Sequence, residues 1–170
     1  MPSHIDHGHV VMHVAHSGAN SRSETIKTLR MTALDYRLLR LARCLLMQPD
    51  SPDHPFWKRA HQIAKEVFPI AEAALVVQSM RRITHHIEQS RQNAFLFVQP
   101  NDPHSHMILT PEERALVEFL HFQRKGNTLG AQTMLILLCE GGDGHALQVE
   151  AKKLCDILWS QPCTLQQKAS

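Results

Sequence analysis

No lysine or arginine precedes Arg22, and no unbroken apolar stretch follows Met1, so the chain is read as carrying no secretory signal. Long apolar runs are missing as well. The longest, Ala73 to Val77 and Met134 to Cys139, fall far below the roughly 20 residues that a bilayer span needs. The four cysteines, Cys44, Cys139, Cys155 and Cys163, lie far apart with no C-x-x-C pair, which excludes a zinc ribbon and a thioredoxin-like motif. They are read as reduced thiols, and the expectation is a cytoplasmic protein with no membrane contact. Only seven of the 170 residues are glycine, which argues for long helices over a turn-rich β architecture. The signatures G-x-x-x-x-G-K-[ST], G-x-G-x-x-G, G-x-S-x-G and H-E-x-x-H are all absent, and no internal repeat has a fixed period.

What remains has the composition of a globular protein, 43% hydrophobic and 20% charged, with length enough for one domain with a substantial core. Net charge is only +2, but residues 21–93 hold 12 Lys or Arg against 7 Asp or Glu, and residues 94–170 hold 6 against 8. The front is basic and the back slightly acidic. Residues 1–22 form a His-rich leader, expected to be poorly ordered; 23–160 a single helical domain; 161–170 a frayed tail. Met31 offers an alternative start, which would make the leader dispensable.

The strongest pattern runs from Ile70 to Arg91. Ala73, Val76, Met80, Ile83 and Ile87 recur at spacings of three and four, which places them on one side of a helix of five to six turns. That seam either completes the core or forms a homodimer face. Arg81, Arg82, His85, His86 and Arg91 crowd the C-terminal half, where positive charge complements the helix macrodipole. This basic end is either a solvated face or a contact for phosphate or an acidic partner.

Further helices follow from the same signals. Ser23 to Gln48 reads as one helix, or two broken near Thr32, with Leu34, Leu38, Leu41 and Leu45 in line and a basic stripe of Lys27, Arg30, Arg37 and Arg40 with Arg43 nearby. After the prolines of PDSPDHP, Asp53 is a cap for a helix beginning near Pro55 and reaching about Val67. The T-x-x-E of Thr110 and Glu113, with Pro111 at the first position, starts a helix reaching about Lys125. Another runs from Asn127 or Thr128 to about Glu140; its segment Met134 to Cys139 is apolar all round and is expected to be buried. Asp143 caps a last helix to about Trp159. Between helices, Phe95 to Val98 and Met107 to Leu109 flank PNDPHS as the two arms of a short hairpin. The fold class is therefore mainly α, a compact bundle of about six helices with one short β-hairpin near 95–109.

Chemistry is sparse. His4, His7, His9, His13 and His16 give the leader an adventitious affinity for divalent metal, without the fixed frame or thiolates of a structural site; Val10, Met12 and Val14 alternate there like a short strand. No cofactor is expected. Glu118 and His121 form a lone E-x-x-H, and His104 and His106 an H-x-H, a thin basis for a metal-dependent helical enzyme, because di-iron bundles need a second pair and further carboxylates. The glycines of GGDG, Gly141 to Gly144, lead into a helix N-terminus open to an anion, but Asp143 repels one, so a flexible loop is expected. Two DNA-binding arrangements are weighed. The pair at 111–125 and 128–140 has helix-turn-helix spacing but no Lys or Arg on its second helix; the helices at 34–47, 55–67 and 70–91, with the hairpin, have winged-helix order.

The reading is a non-enzymatic helical binding or regulatory protein acting through protein–protein contacts, with itself as homodimer among the partners. The alternative is a nucleic-acid-binding regulator using Arg37, Arg40, Arg81, Arg82, His85, His86 and Arg91 toward nucleic acid or an acidic partner.

Overall fold

In a computed structural model, Val14–Ala15, Glu24–Thr25 and residues 31–47, 51–103 and 107–159 are described. Six helices make up the bundle: α1 (Ala33–Leu46), α2 (Pro55–Lys65), α3 (Ile70–Ser90), α4 (Pro111–Arg124), α5 (Thr128–Leu138) and α6 (His145–Trp159). Four two-residue strands accompany them: β1 (Val14–Ala15), β2 (Glu24–Thr25), β3 (Phe97–Val98) and β4 (Ile108–Leu109). None of the described helices is long and apolar enough to cross a membrane.

Capping chemistry sets the helix boundaries. Thr32 and Asp35 close a capping box at the start of α1, and Thr110 and Glu113 close another at α4, where Pro111 fits the first position because its missing N–H has no intrahelical partner there. The first box falls at the break near Thr32 that was the alternative to one helix over 23–48. The helix starts only at Ala33, and Glu24–Thr25 upstream is a strand. At α2 the cap is His54, whose Nδ1 accepts from the Phe56 N–H at 3.3 Å, while Asp53 instead meets Lys58 at 3.3 Å on the surface. Asp143, expected as the cap of the last helix, lies one residue outside the cap position, which Gly144 occupies, and accepts from the N–H of the first helical residue, His145, at 2.9 Å.

Packing is organised on α3, which lies against α1, α2 and α6, while α4 lies against α1, α5 and α6. Ala73, Val76, Met80, Ile83 and Ile87 are all fully buried. The seam therefore goes into the core, each large side chain contributing about 1.5–3 kcal/mol by leaving water, and no homodimer face remains along it. Phe95, Phe97, Phe119 and the leucines of α1 fill the space around it.

The expected hairpin does not form. Its two arms exist as β3 and β4, but β3 pairs in parallel with β1, Val14 opposite Phe97, and β4 pairs antiparallel with β2, Glu24 opposite Leu109. A hairpin alone is marginal; here the arms take their backbone partners from segments upstream of α1. They are joined through the α4 capping box, since the Thr110 hydroxyl donates to the Leu96 carbonyl at 2.8 Å and the Val98 N–H donates to Glu113 at 3.0 Å.

The GGDG loop is also more constrained than a flexible linker. A Cβ on Gly142 would lie 2.8 Å from the Ser90 carbonyl oxygen, so this glycine permits the loop to close against the end of α3. Next to it Glu140 sits at φ 51. Its carboxylate holds the chain there, accepting from the Gln92 and Asn93 N–H groups at 2.9 and 3.1 Å.

Candidate functional site

The basic residues singled out from the sequence do not form one surface. On α1, Arg37 reaches Glu66 at 2.8 Å and Arg40 reaches the same carboxylate at 3.7 Å, so two guanidinium groups share one acid at the end of α2. On α3, Arg82 is 58% exposed and lies 3.7 Å from Glu150 of α6, an acid that Lys153 holds more closely at 2.7 Å. His85 and His86 stand side by side with ring centroids 6.0 Å apart. Partial desolvation, followed by the charge of Arg81 and then His86, holds the His85 imidazole below its ordinary pKa, so it stays neutral further into the acid range.

Arg91 belongs to a different place. Its side chain is only 7% exposed, with Glu140 at 2.9 Å and Glu112 at 4.0 Å. It donates to the Leu138 carbonyl at 3.0 Å, and its guanidinium lies 5.6 Å from the centre of the Phe95 ring. A cation so enclosed ties the end of α3 to the end of α5 and presents no charge to a partner.

The other sequence candidates separate in the same way. Glu118 accepts from Arg114 at 3.0 Å, whereas His121 turns to Asp35 at 3.1 Å, a carboxylate that Arg124 also contacts. The E-x-x-H pair thus serves two different partnerships. Among the described residues no three His, Cys, Asp or Glu side chains come together to hold a metal ion. His4, His7, His9, His13, His16, His104 and His106, and the tail 161–170, lie outside the described residues.

One surface was missed. The expectation that Met134 to Cys139 is buried holds for Leu138 and Cys139 but is corrected for the two residues before them: Ile136 is 61% and Leu137 56% exposed, and Leu129, about two turns earlier, is 76% exposed. Only Ala131 and Leu138 of α5 are buried. The Thr133 hydroxyl between these leucines donates to the Leu129 carbonyl at 3.0 Å, so the stripe asks little hydrogen bonding of water. Met134 and Leu137 continue it into a groove of about 320 Å³ whose far wall is Leu109, Pro111 and Ala115. The signal was present in the sequence, because residues 128–138 contain no charged side chain. A helix apolar on every side that packs mainly against one neighbour must leave part of that surface in water.

The winged-helix arrangement lacks its wing, since β3 and β4 pair with β1 and β2. The second helix of the helix-turn-helix arrangement is α5, whose exposed residues include Leu129, Gln132, Thr133, Ile136 and Leu137, none of them charged. Comparison of the chain with protein-family models, with curated proteins and with solved structures gives no match. What the fold defines is a class: a six-helix bundle with two small two-stranded sheets and one uncharged helix at its surface.

Proposed function

We propose that this chain is a non-enzymatic binding protein with a regulatory role, that it works through protein–protein contact at the outer side of α5, and that its first partner is a second copy of itself. The observation carrying this reading is the exposure of Leu129, Ile136 and Leu137 on a helix without charge. Contiguous exposed apolar surface of this kind marks contact sites on folded proteins. A second copy suits it because the exposed charges at the two ends of α5 differ in sign: Lys125 precedes the helix and Asp143 follows it. About a two-fold axis perpendicular to α5 the helices run antiparallel, bringing each basic end to an acidic end and opposing the helix dipoles favourably. The cytoplasm is the proposed compartment, in keeping with the free, buried thiols of Cys44, Cys139 and Cys155.

Light scattering on a size-exclusion column tests it. The wild type is expected to elute as a dimer that dissociates on dilution, and Ile136→Asp with Leu137→Asp as a monomer with an unchanged far-UV spectrum. A wild type monomeric up to hundreds of micromolar would rule out the second copy.

A second reading rests on α3. Arg82 is exposed and loosely paired, and Arg81, His85 and His86 lie within two turns of it. These groups suit phosphate contacts more than base contacts. Fluorescence anisotropy with a mixed-sequence duplex tests it, with binding that weakens steeply with salt and is lost in Arg81→Ala, Arg82→Ala as the supporting result.

A further inference from the structure

Between α1 and α2, a second concavity has the opposite character to the groove beside α5. Its volume is about 40 Å³ and it is lined by Tyr36, Arg40, Arg43, Cys44, Arg59, Ile63 and Pro100. Three of these seven residues are arginines, and none is a carboxylate. Its floor is deeply buried, with Arg43 2%, Cys44 1% and Ile63 3% exposed, while Tyr36, Arg40 and Arg59 are half-exposed at the mouth.

Like charges converging on a small space repel unless something offsets them. Arg43 is offset, because its Nε and Nη2 donate to the two oxygens of Glu113 at 2.6 and 2.9 Å on the side away from the mouth. The other two are not. The partner of Arg59 is the neutral side-chain oxygen of Asn101 at 2.6 Å. Arg40 has only the distant share of Glu66, at 3.7 Å, that Arg37 leaves to it. Nor is the thiol a counter-ion: burial holds the Cys44 pKa up at about 11 despite the fields of Arg59, Arg40 and Arg43, so it stays neutral at physiological pH.

The geometry points to an oxyanion site here, in which Arg40 and Arg59 at the mouth, over the Arg43 floor, take a small tetrahedral anion of the phosphate or sulfate class. Size agrees with charge. A cavity of about 40 Å³ holds roughly three waters, room of the order that the terminal oxygens of a phosphoryl head need. Guanidinium groups are the side chains best matched to such a head, since their planar donors engage two oxygens at once. The Tyr36 hydroxyl supplies a further donor at the mouth. The site is separate from the α5 surface and independent of that assignment.

The two sources of such a head are free phosphate and a phosphorylated side chain, and one experiment separates them. The arginine Nε–H resonances of the full chain are followed by NMR during titration with inorganic phosphate and, in parallel, with O-phosphoserine, at constant low ionic strength set with chloride. The expected result is a saturable shift of the Arg40 and Arg59 signals. It should be lost in Arg59→Gln and kept in Lys152→Gln, which removes an exposed cation of α6. Tighter binding of phosphoserine assigns the site to a phosphorylated chain, and equal or tighter binding of inorganic phosphate assigns it to the free ion. A wild type without saturable shifts for either anion overturns the proposal, as does binding that survives in Arg59→Gln. Thermal unfolding provides the check on folding: Arg59→Gln should melt as the wild type does without phosphate and should lose the upward shift that bound phosphate confers.

Discussion

Glu113 gathers four donors, two from Arg43 and one each from the Val98 and Thr110 backbone. Fully buried, it closes the α4 capping box, accepts from the backbone of Val98 and Thr110, and pairs with Arg43 of α1, so four segments meet at one carboxylate. Glu113→Ala should lower unfolding stability by about 3–5 kcal/mol, because it leaves the Arg43 charge buried without its acid. Urea denaturation of the single variant beside Arg43→Met, Glu113→Leu checks the cause, since the double variant, with no orphaned charge, should recover part of the loss. Half of this was legible beforehand: T-x-x-E and Pro111 located the cap from local sequence. The other half was not, since Arg43 was placed beside a basic stripe and its acid lies 70 residues further on, and local spacing carries no information about which distant acid arrives. Cys44 gives a second prediction at this scale. Burial holds its folded-state pKa up at about 11, above the ordinary thiol value of 9.0. Between those values the unfolded chain releases a proton that the folded chain keeps, so stability falls as pH rises through this window, by roughly 2–3 kcal/mol in all. Urea unfolding from pH 8 to 11 should show that fall in the wild type and a flatter profile in Cys44→Ala, and identical slopes would refute it.

At the scale of elements, α3 and α5 show what periodicity can and cannot report. Along α3 apolar and polar residues alternate at helical spacing, so the inner side was readable, and Ala73 to Ile87 are buried as the spacing required. Along Met134 to Cys139 every side is apolar, so there was no contrast to read, and burial was inferred for a segment in which only Leu138 and Cys139 achieve it. Leu138→Ala should therefore cost about 2–5 kcal/mol, as for a fully buried leucine. Ile136→Gln, at a position 61% exposed, should change monomer stability by no more than about 0.5 kcal/mol. Chemical denaturation of both at a concentration below any self-association makes the comparison, and equal losses would mean that Ile136 packs inside the fold. The hairpin failed for a related reason. Both arms were recognised from their β-branched and aromatic residues, but strand partners are chosen by the whole chain, and here they come from the leader side.

That choice of partners bears on the molecule as a whole. Among the described residues the large buried side chains of the main core lie at Leu38 or beyond, and the six helices pack on one another. The strands β1 and β2, however, supply the backbone partners of Phe97–Val98 and Ile108–Leu109, and these two pieces flank the capping box that holds Glu113. A chain starting at Met31 should still unfold in one cooperative transition, because it keeps the core that the six helices form among themselves. It should be less stable by about 1–3 kcal/mol, the net worth of a few exchanged hydrogen bonds, and amide exchange should quicken at Val98 and Leu109 before it does anywhere in α3. Loss of cooperative folding in that shorter chain would place the small sheets inside the folding unit. Retention of full stability would mean that the two ladders contribute nothing against the entropy of ordering the residues that form them. The expected intermediate result assigns the leader a definite place: it clamps the segment between α3 and α4, on which the Arg43 and Glu113 pair depends, while the helices fold without it.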